Sequence, residues 1–133
     1  MPKKAITSPK LYNPPRGGVF SSAIEAPKGR TIYISGLTSR DKEGEVVGEG
    51  DIKRQTEVVL DNLKTILEEA NATMNDVVKV TVFIRNMEQF DQIHEVRRRY
   101  FSPPYPASSM VEVSRLVDPR SLIEIEAVAV VEE

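Results

Sequence analysis

The stretch that decides the fold is residues 122–131, which read Leu122-Ile123-Glu124-Ile125-Glu126-Ala127-Val128-Ala129-Val130-Val131. Apolar and polar side chains alternate over its first half, as they do in a β-strand with one buried face. Its second half is apolar at every position, so both faces of the strand become apolar there. A sheet built around this strand therefore needs cover on both of its sides.

The rest of the chain predicts a sheet of five or six strands with two helices, in the order β-β-(β)-α-β-α-β-β. Residues 51–70 carry their apolar side chains at helical spacing, with Asp51 as the N-cap. A second helix is predicted to open with a capping box of Asn86 and Gln89 and to stop at Pro103-Pro104. The predicted strands are residues 19–26 and 30–36, joined as a hairpin by Pro27-Lys28-Gly29, followed by residues 77–85, 107–115 and 122–131.

Two helices can cover only one face of such a sheet. On the other face, the alternation places Val77 and Phe83 of one strand and Val128 and Val130 of another. An apolar patch of this size usually marks an interface, and self-association is the commonest way to close one. The sequence therefore predicts an oligomer.

Length and composition exclude several classes of protein. The 133 residues suit one domain, residues 1–133, whose first 18 residues form a lead segment rich in proline, glycine and lysine, without predicted regular structure. The absence of cysteine excludes disulfides, a thiol nucleophile and cysteine zinc sites. A net charge of -2 argues against nucleic acid as a partner, and no apolar run is long enough for a membrane span. With no signal-like N-terminus, we expect a cytoplasmic protein.

Few residues have the pattern of a catalytic site. Glu124 and Glu126 share one strand face, where they could either meet partners across an interface or perform acid/base chemistry. His94 is the single histidine, so a packing or surface role is favoured, and neither a metal site nor a cofactor is predicted. The run Arg97-Arg98-Arg99 is interpreted as a solvated helix face, with the stem of Arg97 on the apolar stripe.

A set of short motifs runs through most of the chain. They are Ile34-Ser35-Gly36, Gly44-Glu45-Val46-Val47-Gly48, Asp51-Ile52, Gln55-Thr56, Leu60-Asp61-Asn62-Leu63, residues 76–84, Tyr100-Phe101, Val111-Glu112-Val113 and residues 123–130. Together they resemble the Rid family of enamine/imine deaminases over about residues 19–131. The resemblance implies a chorismate mutase-like α+β fold and a homotrimer. In that trimer the sheets line a central barrel, the helices lie outside, and small-molecule clefts form between subunits.

The resemblance also implies a set of site residues. In deaminating members a glutamate positions the attacking water, and this role carries over to Glu124. Those members hold the substrate carboxylate with the arginine of a Pro-Ala-Arg motif, but this chain has Ser108 at that position. The other implied substrate-binding residues are Phe20 where tyrosine is frequent, Met110 where cysteine is frequent, Ser109, and the retained Ser35 and Gly36.

Loss of the motif arginine changes the expected ligand. A serine hydroxyl cannot reproduce the bidentate, charge-assisted pair between arginine and a carboxylate. We therefore expect a neutral or less acidic ligand, unless Arg16, Arg115 or Arg120 supplies a replacement cation. The leading hypothesis is a hydrolytic enamine/imine deaminase with altered substrate recognition. The alternatives are a non-catalytic trimeric metabolite-binding protein and, last, an endoribonuclease or translation inhibitor.

Overall fold

The computed structural model describes residues 2–12 and 18–133. In chain order the elements are β1 (Lys4–Ile6), β2 (Ala23–Glu25), β3 (Gly29–Leu37), α1 (Ile52–Glu69), β4 (Val77–Ile84), α2 (Phe90–Tyr100), β5 (Ala107–Glu112) and β6 (Ile123–Glu132). Single 3₁₀ turns precede β4 and α2. Neither α1 nor α2, the α-helices of the described ranges, could span a membrane.

The central sheet has four strands in the order β3-β6-β4-β5. The strand that opened the sequence argument, β6, lies inside this sheet and pairs antiparallel with both β3 and β4. Strand β5 pairs parallel with β4 and forms one edge, while β3 forms the other. Both helices pack against the same face, so the predicted mixed α+β architecture is confirmed. The core joins apolar residues of both helices to alternate residues of the strands, among them Leu60, Leu63, Ile93, Val96, Val80, Val82, Ile123 and Ile125.

Helix α1 forms where the apolar spacing predicts it. The Asp51 side chain caps its N-terminus by accepting a hydrogen bond of 3.0 Å from the amide of Arg54. Gln55, which is fully buried, fixes the helix to the chain on either side of it. Its amide nitrogen donates to the carbonyls of Gly48 and Arg120, and its amide oxygen accepts from the backbone N–H of Leu122 at 2.8 Å. These bonds fix the segment that leads into β6.

Helix α2 begins later than predicted. Asn86 does not form a capping box with Gln89, because its side chain instead accepts from the amide of Glu88 and caps a 3₁₀ turn over Met87–Gln89. The α-helix then runs from Phe90 to Tyr100 and ends before the prolines. The turn therefore occupies the residues that the sequence pattern assigned to the first turn of the helix.

The predicted hairpin between residues 19–26 and 30–36 is wrong. Strand β2 pairs with β1, so the lead segment contains a strand that the sequence did not predict. Residues before β2 lie beside the β5 edge, where the amide of Ser21 donates to the carbonyl of Pro106 at 3.0 Å. Strand β3 lies at the opposite edge and pairs with β6, whose ten residues offer a much longer partner than β2 does.

The face of the sheet opposite the helices is called the open face below. It carries Tyr33 and Ser35 of β3, Thr81 and Phe83 of β4, and Glu124, Glu126 and Val128 of β6. The predicted position of Val77 on this face is wrong, because the register of β4 shifts between Val77 and Lys79 and Val77 is fully buried in the core. Tyr33 is 81% exposed, so the open face of the single chain presents an aromatic side chain to solvent.

Candidate active site

An irregularity in β3 places the first group of site residues. Ile34 pairs with Ala127 and Leu37 with Ile125, so Ser35 and Gly36 together stand opposite the single residue Glu126. Such a bulge inserts an extra residue and redirects the side chains beside it. As a result, Gly36 lies against the side chain of Glu124, the neighbouring open-face residue of β6.

The contact between Gly36 and Glu124 leaves no space for a larger residue. A Cβ atom added to Gly36 would overlap Oε2 of Glu124 and would come within 2.8 Å of its Cδ and 3.0 Å of its Cγ. The absence of a side chain at position 36 therefore permits the observed position of the Glu124 carboxylate. The half-buried Glu124 is held at the bulge with one side against the backbone.

A cavity of about 250 Å³ lies on the open face beside this group. It is lined by Tyr33, Ile34, Ser35, Lys79, Thr81, Glu126, Ala127 and Val128. The cavity therefore contains Ser35 and carries charges of both signs, from Lys79 and Glu126. The Lys79 ammonium also donates to the hydroxyl of Ser109 on β5 at 3.2 Å.

The second group of site residues lies on and beside β5. Because side chains alternate along a strand, Ser108 and Met110 face the helices while Ser109 faces the open side. Met110 packs against the core. Phe20, which is half-buried, precedes the residue that bridges to Ala107 at the start of β5. The three consecutive residues predicted to line one pocket are thus divided between two faces.

Arg97 of α2 reaches Ser108 from the helix side. Its side chain is almost completely buried, with 1% of the residue exposed, and its Nη2 donates to the Ser108 hydroxyl oxygen at 3.0 Å. Burial lowers the pKa of Arg97 to about 10, so the guanidinium stays positive at neutral pH. The prediction of a solvated face is wrong for this arginine, whereas Arg99 is exposed and pairs with Glu57 at 2.9 Å. The available signal was the spacing, since Arg97 follows Ile93 by four residues on the apolar stripe.

His94 occupies the same side of α2, one turn before Arg97. Its ring stacks on that of Phe90 with 4.3 Å between the ring centres, which agrees with the predicted packing role. Burial, followed by the charges of Arg97 and Arg98, lowers the pKa of His94 to about 4. The imidazole is therefore neutral at neutral pH and adds no positive charge beside Arg97.

A single chain does not bring the two groups of site residues together. Ser35, Gly36 and Glu124 lie at the β3–β6 end of the sheet, whereas Ser108 lies on the β5 edge and faces the helices. Neighbouring strands are about 4.8 Å apart, so β5 lies about 14 Å from β3, which carries Ser35 and Gly36, and about 10 Å from β6, which carries Glu124. Of the proposed replacement cations, Arg16 lies outside the described residues, Arg115 is exposed, and Arg120 holds Asp118 through two side-chain hydrogen bonds of 3.1 and 2.8 Å.

Comparisons with known proteins agree with this fold. The family model of Endoribonuclease L-PSP matches residues 13–131. A RutC family protein of Pyrococcus abyssi is 46% identical over 97% of this chain and 98% of its own length. A 2-iminobutanoate/2-iminopropanoate deaminase of Dermatophagoides farinae is 34% identical over 98% of each chain. The crystal structure of YyfB from Yersinia pestis, a Rid family protein of unknown function, superimposes with a TM-score of 0.90 at 35% identity, covering 98% of this chain and 100% of that one.

The fold and the matches define the class of protein as an α+β chain with the chorismate mutase-like fold of the Rid proteins. The chain belongs to the Rid (YjgF) family, whose family model carries the description Endoribonuclease L-PSP.

Proposed function

We propose that this protein is a hydrolytic deaminase of small, reactive enamines and imines. The observation that carries the proposal is Glu124, a carboxylate that the β3 bulge holds against Gly36 beside Ser35. Relatives of similar length are named 2-iminobutanoate/2-iminopropanoate deaminases, and imine hydrolysis is a reaction that one positioned carboxylate can assist. The matching family model is described as an endoribonuclease, but a net charge of -2 makes RNA a less suitable substrate for this chain.

The reaction adds one water to the imine carbon and releases one ammonia. An enamine first becomes its imine tautomer by moving a proton to carbon. Glu124 then accepts a proton from water as the water oxygen bonds to the carbon of the C=N group. The tetrahedral intermediate breaks its C–N bond after the nitrogen receives a proton, leaving a carbonyl compound and ammonia.

The proposed site needs a second copy of the chain. Glu124 and Ser108 lie on opposite faces of the sheet, on strands separated by β4, so a cleft that contains both residues needs two subunits to meet. Tyr33, at 81% exposure, and the half-buried Val128 pair with each other on the open face. Burying such a surface favours association. We propose a homotrimer whose open faces meet, as the family resemblance implies.

The test of the function is ammonia release from an unstable enamine. A pyridoxal-dependent serine dehydratase would generate 2-aminoacrylate in place, and ammonia formation would be followed with and without this protein. The expected result is release that rises in proportion to protein concentration, above the spontaneous rate. Release at the spontaneous rate over the whole concentration range would refute deamination of this substrate.

Assembly and activity should be lost together. Tyr33→Asp places three carboxylates on the surface that joins the subunits, so we expect the mass in solution to fall to that of one chain and ammonia release to fall at least tenfold. The matched control is Val117→Asp, because Val117 is 93% exposed and lies outside the sheet. Analytical ultracentrifugation measures the mass. A Tyr33→Asp variant that remains assembled would contradict this choice of interface.

A second candidate function is ligand binding without turnover. It is favoured by one observation, the serine at position 108 where deaminating relatives of the resembled type carry arginine. The ammonia assay separates the two functions, because a binding protein would protect 2-aminoacrylate or leave its decay unchanged rather than accelerate it.

A further inference from the structure

Arg97 is a buried charge without a counter-ion in the described part of the chain. No carboxylate of residues 2–12 and 18–133 forms an ion pair with it, and its Nε has no hydrogen-bond partner among these residues. Its side-chain partner among these residues is the neutral hydroxyl of Ser108, 3.0 Å away. Buried charges in proteins are usually paired, because an uncompensated one loses its hydration without replacement. A guanidinium in this state is suited to an anion that comes from outside the chain.

The hydrogen bond also determines how Ser108 can act. Because its oxygen accepts from the positively charged Nη2 of Arg97, the Ser108 proton must point away from the guanidinium. Within residues 2–12 and 18–133 this proton has no acceptor, and Ser108 is only half-buried. The Ser108 O–H is therefore a donor that can reach a ligand, and the charge behind it strengthens that donor.

We propose that Arg97, acting through the hydroxyl of Ser108, supplies the positive charge that holds a substrate carboxylate in this protein. This inference rests on the proposed function and names the substrate class of the same site, namely small 2-imino or 2-enamino carboxylic acids. Ser108 is the contact residue, and Arg97 is a positioning residue that does not itself touch the substrate. The sequence predicted a neutral ligand because the motif arginine is missing. With Arg97 of α2 behind Ser108, an anionic ligand is expected instead.

A purely structural role explains the arrangement less well. A side chain needed only to fill space beneath β5 would be apolar, like its neighbours Ile93 and Val96 on the same stripe. Its hydrogen bond to the neutral hydroxyl of Ser108 does not compensate for taking a guanidinium out of water. His94, one turn away, is neutral, so it neither pairs with Arg97 nor replaces its charge.

The experiment compares a carboxylate with its neutral isostere. The probes are 2-oxobutanoate and 2-oxobutanamide, titrated calorimetrically into the full-length assembled protein. We expect wild type to bind the carboxylate more tightly than the amide. Arg97→Met, which keeps an unbranched apolar stem, should bind 2-oxobutanoate roughly 10- to 100-fold more weakly and leave the amide almost unchanged. Arg97→Lys should retain part of the preference because it retains the charge.

The matched control is Arg99→Met, the same change of charge on an exposed arginine two residues away in α2. It should leave the preference for the carboxylate intact. Wild-type protein without that preference, or Arg97→Met with an undiminished one, would overturn the inference. If Arg97→Met fails to fold, Ser108→Ala decides, because it leaves Arg97 in place and should weaken carboxylate binding about tenfold.

Turnover separates this inference from the proposed function. With 2-aminoacrylate, Arg97→Met should raise KM much more than it lowers kcat, since the lost charge contributes to binding rather than to water attack. An unchanged KM with active enzyme would refute the role of Arg97 and leave the deaminase function standing. A wild type that binds 2-oxobutanoate through Arg97 but releases no ammonia would refute the reaction and leave the anion site standing.

Discussion

Gly36→Ala is expected to reduce ammonia release from 2-aminoacrylate about 100-fold or more. The new Cβ would overlap Oε2 of Glu124, with the Cδ of that carboxyl only 2.8 Å away. A flexible side chain can rotate to escape this overlap, so the subunit should still fold. The carboxylate would then leave the position from which it activates water. Steady-state kinetics of the assembled variant measures the effect.

Two comparisons show whether displacement of Glu124 is the cause. Glu124→Gln should have a residual rate close to that of Gly36→Ala, since both remove a carboxylate from the same place. Any loss of unfolding free energy caused by Gly36→Ala should disappear when Glu124 is also replaced by alanine, because the overlapping atoms are then absent. Full activity of Gly36→Ala would mean that water attack does not depend on the observed position of Glu124.

Local periodicity predicted the elements that depend on nearby residues. Helix α1 has a strong apolar stripe and an N-cap at Asp51, and both appear where expected. The alternation in β6 correctly separated Ile123 and Ile125 from Glu124 and Glu126. The same reasoning could not predict where a strand's register shifts by one residue. The shift near Val77 moves that side chain into the core, and no residue type in the strand signals it.

Pairing between distant strands could not be read from local signals. The turn residues Pro27-Lys28-Gly29 favour a hairpin, but β3 pairs with β6, about a hundred residues later in the chain. Strand β1 forms in a segment of low strand propensity because β2 supplies its partner. In both cases long-range contacts override the local preference.

The candidate site was predicted unevenly for the same reason. Resemblance indicated Glu124, Ser35 and Gly36, and the bulge explains why these residues lie together. The resemblance assigns no role to Arg97. The charge pattern predicted a solvated side chain, because an arginine within a run of three is usually solvated. Whether a long cationic side chain turns inward depends on what lies beneath β5, which is a property of the folded chain.

If the charge of Arg97 acts through the Ser108 hydroxyl, Ser108→Arg should destabilise the protein as long as Arg97 is present. It should support binding of 2-oxobutanoate only when Arg97 is removed. The Ser108 side chain points at the guanidinium, with Oγ 3.0 Å from Nη2. A second guanidinium there would leave two positive charges close together in a largely buried place. We expect the free energy of unfolding of Ser108→Arg to fall by about 2–4 kcal/mol, measured by urea denaturation.

The double variant Arg97→Met/Ser108→Arg should recover that stability and bind 2-oxobutanoate at least as tightly as wild type. It holds one guanidinium, now at the position from which an arginine can grip a carboxylate directly. Val117→Arg is the control for an added guanidinium, because Val117 is 93% exposed and lies outside the sheet. Tight 2-oxobutanoate binding and undiminished stability in Ser108→Arg alone would contradict this prediction. They would show that a guanidinium at position 108 is compatible with that of Arg97. The effect of Ser108→Arg on the free energy of unfolding is therefore compared with Arg97 present and with Arg97→Met. The difference between the two effects measures whether the two positions act as a pair.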